Sequence, residues 1–206
     1  YQGEDDTAKT EHYDVLLTAM VMRLRQLFRD DSLPFLNVQL PMWIAAGDED
    51  KHDWARLRLA QARAASALQP GGLAILLDCG EFDNIHPTDK RTPGERLCDV
   101  ALRVVYGMDA PESPRALGKY TQGDTLVVTL SAPVLRRETG ELLLEIAGED
   151  GAYHPVQSVT LAVAEMRLRS VAVLHPTKVR YAYVNWGKVS LFGRNGLPLA
   201  PFAFEG

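Results

Sequence analysis

Asp83 and His86 are the residues of this sequence best suited to catalysis, because they lie three positions apart in a polar stretch that follows an apolar segment. If one helical turn closes this stretch, the carboxylate can accept a hydrogen bond from one imidazole nitrogen. The other nitrogen can then act as a general base. In such a pair the carboxylate fixes the histidine tautomer and stabilises the imidazolium. The spacing predicts the acid and base of a site that still needs a nucleophile.

A metal site is the alternative for the same stretch, since Glu81, Asp83, His86 and Asp89 all carry groups that bind metals. This set has no second histidine nearby, which disfavours a transition-metal centre. No Cys-x-x-Cys or Cys/His cluster in the sequence has zinc spacing. An isolated Asp-x-x-His also occurs by chance in many chains, where the histidine is a surface residue.

Gln2 and Gly3 stand directly before an acidic run and a predicted helix. A glycine beside a carboxamide suits a loop whose N–H groups point at an oxyanion. The acidic residues that follow, Glu4, Asp5 and Asp6, are also favoured at the positive end of a helix dipole. From the residues alone, the helix N-terminus is the simpler interpretation.

Helices and buried strands alternate around these residues. Apolar spacing and composition predict helices at 7–28, 54–68 and 93–106, and short apolar runs predict buried strands at 35–40 and 73–78. The alternation is typical of a parallel sheet covered on both faces. Asp83 and His86 then follow the second strand, at the carboxyl edge where α/β folds place active sites. Because two strands do not make a stable sheet, we expect the missing strands in a longer precursor, ahead of Tyr1.

The sequence changes character after residue 110. Five β-rich runs, separated by turn-forming residues, occupy 125–130, 141–146, 158–163, 170–174 and 179–184. Their spacing predicts an antiparallel, sandwich-like unit. Pro111 and Pro114 mark the expected boundary, which gives two domains, 1–110 and 111–206.

Composition excludes several classes of protein. With a net charge of −5, the chain lacks the clustered Lys and Arg that bind phosphates, so we expect no nucleic-acid partner. No run of about 18 apolar residues is present, so we expect no membrane span. Cys79 and Cys98 are too few for a disulfide framework.

Several short blocks occur in a fixed order along almost the whole chain. They are Tyr1-Gln2-Gly3-Glu4, Leu33-Pro34-Phe35, Val38-Gln39-Leu40, Trp54-x-x-Leu57-Arg58-x-Ala60-Gln61, Asp83-x-x-His86-Pro87-x-x-Lys90-x-x-x-Gly94-x-Arg96-Leu97, Ile146-Ala147-Gly148-x-Asp150-Gly151, Val179-Arg180-Tyr181-Ala182 and Gly196-Leu197-Pro198-x-Ala200-Pro201-Phe202. In this order the blocks resemble the carboxy-terminal part of a sialate O-acetylesterase, an SGNH-type serine hydrolase.

The resemblance implies a fold and a set of roles. Residues 1–110 would be the carboxy-terminal part of a flavodoxin-like SGNH esterase domain, a parallel sheet with flanking helices. Residues 111–206 would be a β-sandwich-like accessory domain. Asp83 and His86 would be the triad acid and base, and Gln2, with less support for Gly3, would help to bind the oxyanion. The serine nucleophile would lie upstream, in the amino-terminal part of the same protein, because no serine of this chain has a Gly-x-Ser-x-Gly or Gly-Asp-Ser context.

The activity implied by the resemblance is removal of O-acetyl groups from a carbohydrate by serine acyl transfer, with no metal or organic cofactor. This chain alone would be incomplete and inactive. Asp5 and Asp6 stand where the family commonly has Ser and Asn, a departure that bears on substrate choice. The alternative is a non-catalytic glycan-binding or structural subunit. Glycan substrates favour a location outside the cytoplasm, whether periplasmic, secreted or lysosomal.

Overall fold

The computed structural model describes residues 1–205, and the chain divides into two compact units, Tyr1–Glu112 and a second from Ser113 onward. The first unit combines helices with parallel strands, and the second consists of antiparallel strands. The mixed α and β content confirms the predicted α/β class. No helix within residues 1–205 has the length and apolar character needed to cross a bilayer.

The first unit contains one 3-10 helix, three α-helices and two strands. In chain order these are the 3-10 helix Glu4–His12, α1 (Tyr13–Phe28), β1 (Phe35–Val38), α2 (Asp53–Ala67), β2 (Gly71–Ala74) and α3 (Arg91–Val104). The strands pair in parallel, with Phe35 opposite Gly71 and Val38 opposite Ala74. The expected helix at 7–28 begins as a 3-10 helix because Lys9 has non-helical backbone angles. The second strand ends at Ala74, before most of the predicted range 73–78.

Helices cover both faces of the two-stranded sheet. Successive strand residues point to opposite faces, and on one face Gln39 donates from Nε2 to the Arg58 carbonyl of α2. On the other face Val38 and Ala74 pack with Val100 of α3 in a buried apolar cluster. Burial on both faces explains why both strand segments are apolar in sequence.

Helix α1 buries a narrower face than its sequence pattern predicts. Tyr13, Val21 and Arg25 are buried, whereas Leu16 and Met20, which belong to the expected apolar stripe, are exposed; so is Phe28, at the last position of the helix. Arg25 is held inside because its guanidinium donates to the carbonyls of Leu33 and Pro70, 3.0 and 3.1 Å away.

The second unit has ten strands in its described residues, twice the number predicted. They are β3 (Ala116–Gln122), β4 (Thr125–Leu130), β5 (Val134–Arg136), β6 (Leu144–Ala147), β7 (His154–Pro155), β8 (Ser158–Leu161), β9 (Glu165–Arg169), β10 (Lys178–Tyr181), β11 (Leu191–Gly193) and β12 (Phe202–Phe204). They form two four-stranded antiparallel sheets, β3-β4-β9-β8 and β12-β10-β6-β7, and a β11-β5 pair. The predicted strand at 170–174 is wrong: this segment follows β9, and Val171 and Leu174 point into solvent.

Candidate active site

Two loops leave the same edge of the sheet, because β1 and β2 run in parallel. They are residues 39–52 after β1 and residues 75–90 after β2. Asp83 joins them: its N–H donates to the Ile44 carbonyl over 3.1 Å, and its Oδ1 accepts from the Ala46 N–H over 2.8 Å. Gly80 also lies against the first loop, since a Cβ there would be 1.9 Å from the Met42 carbonyl oxygen. The loop with Asp83 is therefore fastened to its neighbour by backbone contacts.

Glu81 closes the segment that carries His86. Its Oε1 accepts from both the N–H and the hydroxyl of Thr88 at 2.6 Å, and its Oε2 accepts from Nδ2 of Asn84 at 2.6 Å. Asn84 in turn accepts from the His86 N–H through Oδ1, over 3.1 Å. Hydrogen bonds from the Thr88 hydroxyl and N–H and from Asn84 lower the pKa of Glu81. The backbone around His86 is thus held by one carboxylate.

Asp83 and His86 lie in this fixed segment with exposed side chains. Asp83 has a positive φ of 58°, a conformation that few non-glycine residues adopt. Within residues 1–205, no hydrogen bond joins its carboxylate to the His86 imidazole, and Oδ1 accepts from the Ala46 N–H instead. The structure places both residues at the predicted edge, and their roles as acid and base stay predictions.

The Gln2 carbonyl is held between the 3-10 helix, α1 and α2. It accepts from the Tyr13 hydroxyl at 3.0 Å and from Nε2 of Gln61 at 2.9 Å. The Gln2 side chain also accepts from Tyr13 through Oε1, at 3.0 Å, and donates from Nε2 to Asp6 over 2.5 Å. Asp6, one of the departures from the family blocks, therefore accepts one of the two N–H donors of the Gln2 carboxamide.

Gly3 is buried with a φ of 145°, and a Cβ there would be 2.6 Å from Cδ2 of Leu57. Only glycine fits this position without strain. Burial, together with the charges of Glu4 and Cys79, raises the pKa of Tyr1 to about 12.

Asp78 and Arg96 form a contact that the sequence analysis did not assign. Nη1 and Nη2 of Arg96, on α3, donate to Oδ1 and Oδ2 of Asp78 at 2.6 and 2.8 Å, and Nη1 also donates to the Ile75 carbonyl at 2.7 Å. This bidentate pair anchors Asp78, which lies in the loop after β2 ahead of Asp83 and His86. Two features of the sequence could have indicated this pair. Arg96 belongs to the fixed-order block that contains His86, and Asp78 directly follows an apolar run.

Buried polar residues support the loop after β1. Arg58 and Gln61 of α2 are fully buried, and burial lowers the pKa of Arg58 to about 9. Gln61 accepts from the Leu40 N–H through Oε1 at 2.9 Å. Trp43 and Trp54 stack at a tilt with ring centroids 4.9 Å apart, and Nε1 of Trp54 donates to a backbone carbonyl of the same loop. These groups fix the loop to which Asp83 is bonded.

The first unit also contains two free cysteines, Cys79 and Cys98. Among residues 1–205, no three His, Cys, Asp or Glu side chains are grouped closely enough to hold a metal ion. Burial and the neighbouring Asp78 raise the pKa of Cys79 to about 12, which makes it a poor nucleophile. Cys98 is exposed on α3.

Comparison with known proteins finds similarity among solved structures. No protein-family model matches the chain, and no curated protein sequence matches it either. Among solved structures, a carbohydrate acetylesterase from Xanthomonas citri matches this chain with a TM-score of 0.86 and 32% sequence identity. The match covers 94% of this chain and 46% of the acetylesterase chain. This chain therefore has the fold of a little less than half of that acetylesterase.

Proposed function

We propose that this chain supplies the acid, the base and part of the oxyanion site of a carbohydrate O-acetylesterase that acts by serine acyl transfer. The observation that carries the proposal is the match of 94% of the chain, at 32% identity, to a carbohydrate acetylesterase. That match covers less than half of the acetylesterase. This supports a second part of the proposal: the serine lies on an amino-terminal portion of the same protein, and this chain alone is inactive.

In the proposed reaction the serine attacks the acetyl carbonyl of the substrate. His86 takes the hydroxyl proton and returns it to the departing sugar oxygen, and water then releases acetate from the acetyl-enzyme. Asp83 keeps Oδ1 on the Ala46 N–H, which leaves Oδ2 as the acceptor for the His86 imidazole. The exposure of both side chains supports a site completed by residues outside this unit.

Gln2 and Gly3 are proposed to contribute to oxyanion binding. The Gln2 carbonyl is fixed by two hydrogen bonds, so its position is set before substrate arrives. Its Nε2 donates one hydrogen to Asp6, and the second N–H is the donor proposed for the oxyanion. Fixed donors aimed at the developing charge are the usual source of stabilisation in such sites.

The test compares kcat/KM for p-nitrophenyl acetate between variants of the parent protein, in which this chain is joined to the amino-terminal portion. We expect His86→Ala to lower kcat/KM by about 10³-fold or more, and Asp83→Asn by at least about 10²-fold, because triad members act as a unit. His12→Ala, at an exposed histidine of the 3-10 helix, is the matched control and is expected to be neutral. A loss under tenfold for His86→Ala would refute the assignment.

Two further measurements define the proposal. A fluorophosphonate should label the parent protein and not this chain alone; labelling of this chain would show that one of its own serines is the nucleophile. Binding of acetylated glycan without turnover by the parent protein would instead favour a non-catalytic glycan-binding subunit.

For the substrate we propose O-acetylated sialic acid, and for the location a compartment outside the cytoplasm. Faster release of acetate from acetylated xylan than from O-acetylated sialic acid would refute the substrate assignment.

A further inference from the structure

The second unit contains a cavity of about 530 Å³ that the proposed function does not use. Its walls are the turn after β6, residues 148–150, and the connection between β9 and β10, residues 172–177. Small-molecule sites in proteins have volumes of about 300–1,000 Å³, so the cavity is large enough for a ligand. The turn belongs to the block Ile146-Ala147-Gly148-x-Asp150-Gly151, for which no role is assigned above.

Hydrogen bonds fix both walls of the cavity. The Gly151 N–H donates to the Gly148 carbonyl over 3.2 Å and closes the turn. The Thr177 N–H donates to the Ala147 carbonyl over 2.8 Å and joins the connection to β6. The Thr121 hydroxyl of β3 donates to another backbone carbonyl of the connection over 2.6 Å. Because the walls are ordered before a ligand arrives, binding requires little further ordering of the protein.

Gly148 leaves space between the two walls. A Cβ at this position would be 3.4 Å from the His175 carbonyl oxygen and 3.5 Å from Oδ1 of Asp150, which are ordinary contact distances. The φ of Gly148 is not positive, so the backbone conformation does not require glycine here. The missing side chain therefore keeps the cavity open and is not needed by the turn.

The polar groups of the lining suit a ligand that carries several hydroxyls. Asp150 accepts from the Ala152 N–H through Oδ1 at 3.2 Å, which leaves Oδ2 as an acceptor for a ligand. Glu149 and His175 also line the cavity and are exposed. Oγ1 of Thr177 is buried and has no hydrogen-bond partner among residues 1–205. Carboxylates accept hydrogen bonds, whereas imidazole and hydroxyl groups donate and accept them. Such a set can bind the adjacent hydroxyls of a sugar ring.

The apolar and charged parts of the lining narrow the ligand further. Leu174 is 68% exposed, and contact with the C–H face of a sugar would remove this apolar side chain from water. The acidic side chains of the lining are Glu149 and Asp150, and the described lining residues include no lysine or arginine. Nζ of Lys178 lies near Gly151, outside the lining. Like charges disfavour binding, so the lining favours a neutral sugar over an anionic one.

We propose that this cavity binds a neutral sugar residue of the glycan from which the acetyl group is removed. The cavity and its preference for neutral polyhydroxyl ligands are inferred from the geometry, whereas the choice of a glycan as the source of the sugar rests on the proposed function. The site holds the glycan through a residue other than the acetylated one. It therefore contributes to substrate binding and not to the chemical step.

The test measures binding of methyl glycosides to the parent protein by saturation-transfer difference NMR. The neutral probes are methyl glucoside, methyl galactoside and methyl xyloside, and methyl glucuronide is the anionic probe. We expect at least one neutral probe to bind with a Kd of about 1–10 mM. We expect methyl glucuronide to bind at least about tenfold more weakly than that probe, because of the two carboxylates.

Two variants, each with a matched control, assign this binding to the cavity. Asp150→Asn keeps an acceptor for the Ala152 N–H and replaces the second carboxylate oxygen by a donor, so we expect the Kd to rise at least about fivefold. Leu174→Ala should raise it at least about threefold through lost apolar contact. The controls are Glu138→Gln, at an exposed carboxylate outside the lining, and Val171→Ala, at a side chain 84% exposed on the same connection. Both controls should leave the Kd unchanged.

Three results would overturn the site. The first is a Kd above about 50 mM for every neutral probe. The second is binding of methyl glucuronide as tight as that of the neutral probes. The third is an equal effect of each lining variant and its control; Val171 lines a neighbouring cavity of about 310 Å³, so a matching loss in Val171→Ala would place the sugar there.

Kinetics separate this site from the proposed function. With O-acetylated mucin as substrate, Asp150→Asn should raise KM at least about threefold at unchanged kcat, and kcat/KM for p-nitrophenyl acetate should not change. A KM equal to that of Glu138→Gln would overturn the glycan as the source of the sugar. An inactive parent protein that binds the neutral probes in the cavity would refute the proposed function and keep the site. An active parent protein that binds none of them would overturn the site alone.

Discussion

Replacing Arg96 tests whether α3 holds the loop after β2, residues 75–90, in place. The Arg96 guanidinium donates three hydrogen bonds, two to the Asp78 carboxylate and one to the Ile75 carbonyl. Burial alone would lower the pKa of Arg96, but the hydrogen bond and the charge of Asp78 raise it overall. Arg96→Met keeps the buried aliphatic part of the side chain and removes all three donors, so it isolates the polar contribution.

The expected loss of unfolding free energy depends on how far the Asp78–Arg96 pair is exposed to water. Breaking a fully buried ion pair costs about 3–5 kcal/mol, because the remaining charge is left without a partner. Here the Arg96 side chain is 10% exposed and that of Asp78 23% exposed, so water partly solvates the remaining carboxylate. We therefore expect Arg96→Met to lower the free energy of unfolding by about 2–3 kcal/mol. In a protein of this size that corresponds to a fall in Tm of about 5–10 °C.

Urea denaturation of the parent protein measures this loss, and two variants control it. Arg91→Met removes an exposed arginine of the same helix, whose partner Glu95 is also largely exposed, and should not change stability measurably. Arg96→Met/Asp78→Leu removes both charges and should recover part of the loss, because no carboxylate is then left unpaired. An Arg96→Met midpoint equal to that of Arg91→Met would refute the anchoring role of the pair.

Two other positions give independent predictions. Gly3→Ala should lower the free energy of unfolding by about 2 kcal/mol or more, because its Cβ would be 2.6 Å from Leu57 at a φ of 145°; Gly94→Ala, where nothing lies within 4 Å, is the control, and equal Tm values would contradict the prediction. Glu81 has a lowered pKa, so its contribution to loop order is present above the unfolded pKa and is lost as pH falls through the folded pKa. The protection factor of the Thr88 amide should fall over that acidic range, and Glu81→Gln should show no such pH dependence.

The sequence allowed prediction of the elements whose pattern is local and regular. Helix α2 and strand β4 were expected within a residue or two of their observed bounds, because helix-favouring composition and a dense β-branched run decide them. The segment 170–174 was expected as a strand because Val171 and Leu174 are apolar, yet both are exposed. Short strands such as β5 and β11 were missed, since their pairing partners are distant in sequence.

The sequence likewise predicted some features of the candidate site and missed others. That Asp83 and His86 lie after β2, beside the loop that follows β1, could be predicted, because parallel strands bring their carboxyl ends to one edge. The Asp78–Arg96 pair could not, because it joins a loop to a helix 18 residues away. The same holds for Asp83 and Ala46, which are 37 residues apart. Such contacts depend on how the elements pack, which no local pattern encodes.

The contacts around the loop after β2 also bear on the proposed function, in which another part of the protein completes the site. Glu81, Arg96 and the Ala46 N–H hold the backbone of the loop through bonds made within the first unit. The His86 imidazole is bound by none of them and stays exposed. In the proposed function, an incoming nucleophile therefore orients one side chain and does not have to fold a loop. Since ordering a loop costs about 1–2 kcal/mol per residue in backbone entropy, a loop fixed in advance lets the remaining half of the site form with little further ordering.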